Sequence, residues 1–299
     1  MSQLPYEAFI REVGPRDGLQ AEAPVSVDQR VALIEALSGT GVRTIEAVSF
    51  VSEKAVPAMA GAAEVMAKLQ RNPDVSYVAL VPNLRGAQGA LEAVVDGLTV
   101  TVSASETYSQ KNTNRTIAES MTSVEQICDF VDERVPVDVV ISCAFGSPYE
   151  GNIAPEAIGD LVRNAWDAGA TAVTLADTTG MATPRRVDDV IDETGNDVGL
   201  HLHQTRGTGL VNAYAGLQRG ITRFDTSVGG LGGSPFAAGA SGNLATEDLV
   251  HMLDDIGVAT GIDLAALLEV NVTLAATIGH PVASHIAAAG PRNRLADSA

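Results

Sequence analysis

The feature that most constrains this chain is an alternation. Short runs rich in Val, Ile, Thr and Ala recur eight times, at 9–13, 44–50, 76–81, 98–103, 137–143, 172–175, 198–203 and 223–228. Runs this short and this apolar suit strands buried on both faces. Helical windows lie between them. The window 27–38 carries Val31, Ile34 and Leu37 at three-residue spacing and stops at Gly39. The window 155–168 sets Ile158, Leu161, Val162 and Trp166 on one face before Gly169. Thr183 and Pro184 supply a cap and a first residue for a third, which runs through Val187, Val190 and Ile191 to Gly195. Sustained strand–helix alternation requires parallel strands joined by crossover helices. Eight units favour closure into a (β/α)8 barrel. The 299 residues suit a single domain of that kind, with the barrel over 8–256. The remainder, 257–299, holds one extra helix at 264–278 and a frayed end at 291–299.

A net charge of −18, with only Lys54, Lys68 and Lys111 as lysines, argues against a nucleic-acid partner. It reads as a solvated acidic surface. Cys128 and Cys143 cannot build a disulfide framework and fit a reducing cytoplasm. Residues 1–9 lack the basic and apolar stretches of a signal peptide, and no apolar run approaches the ~20 residues that span a bilayer. A soluble cytoplasmic protein with no membrane partner is the expectation.

Reactive groups of such a barrel sit at the C-terminal ends of its strands. The polar residues of this chain concentrate there: Arg16, Asp17 and Gln20 after the first strand, Glu46 and Ser49 on the second, Asn83 after the third, and Ser105 with Glu106 after the fourth. Ser142 and Cys143 follow on the fifth, Asp177 and Thr178 on the sixth, His201 and His203 on the seventh, Asp225 on the eighth. His201-Leu202-His203 is the sharpest local signal, because residues two apart on a strand point the same way. The pair suits either a divalent ion, Mg²⁺, Mn²⁺ or Zn²⁺, or ordinary hydrogen-bonded histidines. Asp17 and Asn243, on loops at the same barrel end, favour the ion. His251, His280 and His285 lack such company and read as structural or exposed. The glycine-rich stretch 229–235 reads as a flexible connection, a phosphate cradle or a closing lid, of which the lid is preferred. Cys143 reads as a packed apolar residue rather than a nucleophile.

Taken together, Glu12-Val13-Gly14-Pro15-Arg16-Asp17-Gly18-Leu19-Gln20, Ile45-Glu46, Ser49-Phe50-Val51-Ser52, Val81-Pro82-Asn83-Leu84, Pro148-Tyr149-Glu150-Gly151 and the run from Gly239 to Val250 resemble the 3-hydroxy-3-methylglutaryl-CoA lyase family, over about residues 8–270. The resemblance implies a metal-dependent carbon–carbon lyase acting on an acyl-CoA thioester, and a possible homodimer. By that likeness Asp17, His201, His203 and Asn243 would ligate Mg²⁺ or Mn²⁺, with Zn²⁺ as an alternative. Arg16 would stabilise a thioester enolate, and Asp17 or His201 would carry the proton. Gln20, Glu46, Ser49, Asn83, Asp177, Thr178 and Arg206 would position the substrate.

Two departures from the family pattern stand out. Ser234 occupies the place where the lyases carry a cysteine held to protonate the enolate, and a hydroxyl is a far weaker acid than a thiol. Gln204 replaces the aspartate that usually follows the histidine pair, with Arg206 just beyond. An aldolase or Claisen-type enzyme run toward condensation, which needs no enolate protonation, therefore stands as an alternative. A metal-binding barrel without turnover is a third reading, disfavoured by the retention of Arg16 and all four ligand candidates.

Overall fold

The computed structural model describes residues 4–233 and 242–292. Eight strands run in chain order: β1 Phe9–Glu12, β2 Thr44–Ser49, β3 Ser76–Leu80, β4 Gly97–Ser103, β5 Val137–Ser142, β6 Ala172–Ala176, β7 Gly199–His201 and β8 Arg223–Thr226. Each pairs in parallel with its sequence neighbour, and β8 pairs back onto β1 through Phe9–Arg223 to Glu12–Thr226, closing the barrel. The expected (β/α)8 architecture is the observed one.

The helices are α1 Val27–Ser38, α2 Ala62–Lys68, α3 Leu84–Glu92, α4 Glu106–Thr113, α5 Ile117–Val131, α6 Pro155–Asp167, α7 Pro184–Thr194, α8 Gly209–Gln218, α9 Thr246–Ile256, α10 Leu264–Ile278 and α11 His285–Ala289. Local chemistry explains where they start. Ser26 with Gln29 and Thr116 with Glu119 form reciprocal capping boxes on α1 and α5. Thr183 caps α7 ahead of Pro184, whose missing N–H costs nothing at that position. The buried stripes seal the helices onto the sheet. Ile34 and Leu37 of α1, and Ile158 with Val162 of α6, are almost wholly removed from water. Each such side chain contributes roughly 1.5–3 kcal/mol.

The tail differs from the single extra helix expected. After α10, which packs beside α1 and α9, the short α11 follows and lies against α9. Asp248 of α9 binds its start, accepting from Ser284 Oγ at 2.8 Å and from Ile286 N at 2.9 Å. Most of the stretch expected to fray, 293–299, lies outside the described residues.

Candidate active site

The loop after β1 builds the first wall. It is a tight π-helical turn, Gly14–Gly18, wound on one acceptor. The backbone N–H groups of Arg16, Asp17 and Gly18 reach the Val13 carbonyl at 3.1, 2.7 and 3.2 Å. Glu12 anchors that turn to the far side of the barrel closure. Its carboxylate accepts from Gly14 N at 2.7 Å, Val228 N at 2.9 Å and the Thr246 hydroxyl at 2.5 Å. Burial pushes the Glu12 carboxyl up to about 7 despite those donors.

Asp17, His201 and His203 each point one potential ligand atom into a common space, all within 4.8 Å of one another. The two histidine Nε2 atoms are 3.3 Å apart, and Asp17 Oδ2 lies 3.9 Å from His201 Nε2. Asn243 completes the group. Its Nδ2 donates to Asp17 Oδ2 at 2.7 Å and to the Leu231 carbonyl at 2.9 Å, while Oδ1 is buried without a partner among the described residues. The histidine pair is not a strand pair throughout. β7 ends at His201, and His203 makes an antiparallel bridge with Asn243 instead.

This donor set fits a divalent cation. His201 Nδ1 lies 3.2 Å from Asp225 Oδ2, so with its proton there the Nε2 lone pair faces inward. Burial holds His203 down to about 4, with the neighbouring His201 adding to the effect, so its imidazole is neutral at neutral pH. Burial would also lower His201, but the hydrogen bond to Asp225 and the charge of Asp17 outweigh it and raise the group. For Asp17 burial works upward and is outweighed by Arg16, His201 and the hydrogen bond from Asn243, leaving it lowered and ionised. An anionic oxygen, an orphaned amide oxygen and two imidazoles suit an ion that accepts both oxygen and nitrogen donors.

Arg16 stands beside the group, its Nε donating to Glu46 Oε2 at 2.5 Å and its Nη1 to Asp17 Oδ1 at 2.7 Å. Arg16, Asp17, Gln20, Glu46, Asn83, Thr178, His201 and His203 all line one cavity of about 450 Å³. Three residues expected to contact substrate do not line it. Ser49 is buried, and its hydroxyl has no partner among the described residues. Asp177 turns back on its own loop, accepting from Met181 N at 2.7 Å and Ala182 N at 2.9 Å. The Arg206 guanidinium donates to the Thr179 and Gly180 carbonyls at 2.7 and 2.9 Å, because that turn presents two acceptors the loop does not itself satisfy. Ser234 lies outside the described residues. Cys143 is fully buried, and burial pushes its thiol up to about 12, consistent with packing rather than nucleophilic use.

The described part of the glycine-rich stretch is fitted to the site rather than loose. A Cβ at Gly232, whose φ is +119°, would lie 2.4 Å from Asn243 Nδ2 and 3.3 Å from Asp17 Oδ2. Ser234 and Pro235, the last two residues of the stretch read as a lid, lie outside the described part. Of the remaining histidines, His251 sits in α9, His280 Nε2 meets Glu22 Oε2 at 2.8 Å, and His285 Nδ1 meets Asp248 Oδ2 at 3.0 Å. Arg11, Glu12 and Asp138 were not foreseen at the site. The signal available for them was charge placed inside otherwise apolar strand runs.

Residues 8–274 match the family model described as HMGL-like. The chain belongs to the HMGL-like family. The 3-hydroxy-3-methylglutaryl-CoA lyase of Rattus norvegicus, named as cytoplasmic, is 40% identical over 99% of this chain and 88% of that one. The 3-hydroxy-3-isohexenylglutaryl-CoA/hydroxy-methylglutaryl-CoA lyase of Pseudomonas aeruginosa is 40% identical over 96% of this chain and 98% of that one. An HMG-CoA lyase from Acinetobacter baumannii, solved with coenzyme A and 3-methylmalate, superposes with a TM-score of 0.93 at 42% identity, covering 99% of each chain. This HMGL-like chain is accordingly a carbon–carbon lyase of a metal-dependent family. No described helix is long and apolar enough to cross a membrane.

Proposed function

We propose that this lyase cleaves a 3-hydroxy-3-methylglutaryl-type thioester of coenzyme A into acetyl-CoA and a keto acid. The observation that carries the reading is the convergence of Asp17, His201 and His203 at the cavity wall, with Arg16 and Asn243 both bonded to Asp17. The coenzyme A carrier is inferred from the Acinetobacter baumannii relative, whose structure holds that molecule.

Asp17, His201, His203 and Asn243 would hold Mg²⁺ or Mn²⁺, with Zn²⁺ as the alternative. Such an ion stabilises negative charge on the substrate oxygens and eases removal of the hydroxyl proton near neutral pH. Asp17 takes that proton, because His201, with its Nδ1 proton on Asp225 and its Nε2 turned to the ion, has no lone pair left for it. The oxygen electron pair then forms the keto group, the C2–C3 bond breaks, and its electrons pass into the thioester as an enolate. Arg16, clamped by Glu46 and Asp17, donates to the enolate oxygen, where charge develops only as the bond breaks. Gln20, Asn83 and Thr178 line the cavity beside them and position the substrate. Protonation at C2 releases acetyl-CoA.

Ser234 favours a second reading, condensation of an acyl-CoA with a keto acceptor, in which the enolate attacks carbon instead of taking a proton. A homodimer and a cytoplasmic setting belong to the same proposal, and the two free thiols suit a reducing compartment. Acetyl-CoA release from 3-hydroxy-3-methylglutaryl-CoA tests it. Thorough chelation should abolish release and Mg²⁺ or Mn²⁺ should restore it; release indifferent to chelation refutes the ion's role. Product only in the presence of a keto acceptor selects the condensation reading.

A further inference from the structure

The inward-facing side chains of a barrel like this are normally layers of Val, Ile and Leu. Here β1 sends an arginine across the interior. Arg11 Nη1 lies 2.6 Å from Asp138 Oδ2 on β5, the opposite wall. Its Nε and Nη2 donate to Asp225 Oδ1 and Oδ2 of β8 at 2.8 and 2.6 Å. Thr174 of β6 donates to Asp138 Oδ2 at 2.8 Å and holds the far end. The three charged side chains are only 13, 14 and 7% exposed. Apolar packing would stabilise the interior at least as well as a buried ionic triad, so the triad points to a task other than stability.

That task lies next to it. Asp225 Oδ2, gripped by Arg11, also meets His201 Nδ1 at 3.2 Å, and the opposite edge of the same imidazole faces His203 and Asp17. Both Arg11 and Asp225 line the cavity floor. We propose that Arg11 is a positioning residue: by holding both oxygens of Asp225 and bracing on Asp138, it fixes the carboxylate that orients His201 toward the divalent cation. The inference rests on the metal-site reading given above. A forked guanidinium–carboxylate pair has one geometry, so Asp225 cannot swing and His201 cannot tilt with it. Lysine at position 11 would keep the charge but make a point contact in place of the fork.

The test is Mn²⁺ titration of the chelator-stripped protein, read by the electron paramagnetic resonance of free Mn²⁺, with thermal melting alongside. Wild type binds Mn²⁺, and Arg11→Lys binds it ~10-fold or more weakly while still melting cooperatively. Should Arg11→Lys not fold, Asp138→Asn carries the test, since it removes the brace and leaves the fork: weaker Mn²⁺ binding supports the proposal and wild-type affinity overturns it. Wild-type affinity in Arg11→Lys, even with a lowered melting temperature, assigns Arg11 to packing alone and overturns the proposal. Failure of wild type to bind Mn²⁺ overturns the metal-site reading and this inference together. Binding by wild type with unchanged variants overturns the inference only.

Discussion

Arg16 shows how little freedom a charged side chain keeps at this site. It is 9% exposed and bonded on two sides, to a carboxylate of β2 and to one of its own turn. A guanidinium held this way pays no ordering cost when charge appears on the substrate. Arg16→Gln should therefore lower kcat by ~10²-fold, while a raised KM at unchanged kcat would make Arg16 a binding group instead. At Ser234 the prediction concerns gain. Ser234→Cys should increase cleavage measured as acetyl-CoA release, because a thiol is a better proton donor to the enolate than a hydroxyl; an unchanged rate would show that another group delivers the proton.

At the level of elements, much was legible because burial on both faces writes a strand as an uninterrupted apolar run. All eight strands fall where those runs lie, and no end differs by more than two residues. The largest difference is β7, shortened because His203 leaves the ladder to bridge Asn243. The turn carrying Arg16 and Asp17 was readable from its flanking glycines and proline, whereas the directions of Asp177 and Arg206 were not. Local backbone acceptors and donors captured both side chains, and sequence position says nothing of where such groups point. α11 escaped notice because five residues show no helical period. The glycine-rich loop after β8 carries its own test. Gly232→Ala places a methyl group against the Asn243 amide and strains a backbone at φ +119°, so divalent-ion affinity and turnover should both fall by more than ~10-fold. Unchanged Mn²⁺ affinity in that variant would show that the close approach is incidental to the site.

Across the whole molecule, stability is tied to pH by carboxyls sealed where the barrel closes. Burial pushes Glu12 and Glu247 up to about 7, with the Glu247 charge adding to the rise at Glu12 and the Asp248 charge at Glu247. Between the ordinary carboxylate range and that value the folded protein holds protons the unfolded chain has released. Their contribution to stability is thus full in acid and lost as pH rises through about 7. Thermal melts of metal-free protein between about pH 5 and about pH 8 should show Glu247→Gln losing part of the wild-type decline; parallel curves for the two proteins would contradict the assignment. The proposed site needs four side chains, from the first loop, the end of the seventh strand and the residue just past it, and the segment after the eighth, to meet on a single cation. Anomalous diffraction at the manganese edge from Mn²⁺-soaked crystals tests it most directly. One strong peak within bonding distance of Asp17, His201, His203 and Asn243 is expected, and a peak elsewhere, or none at full soak, would contradict the shared cation.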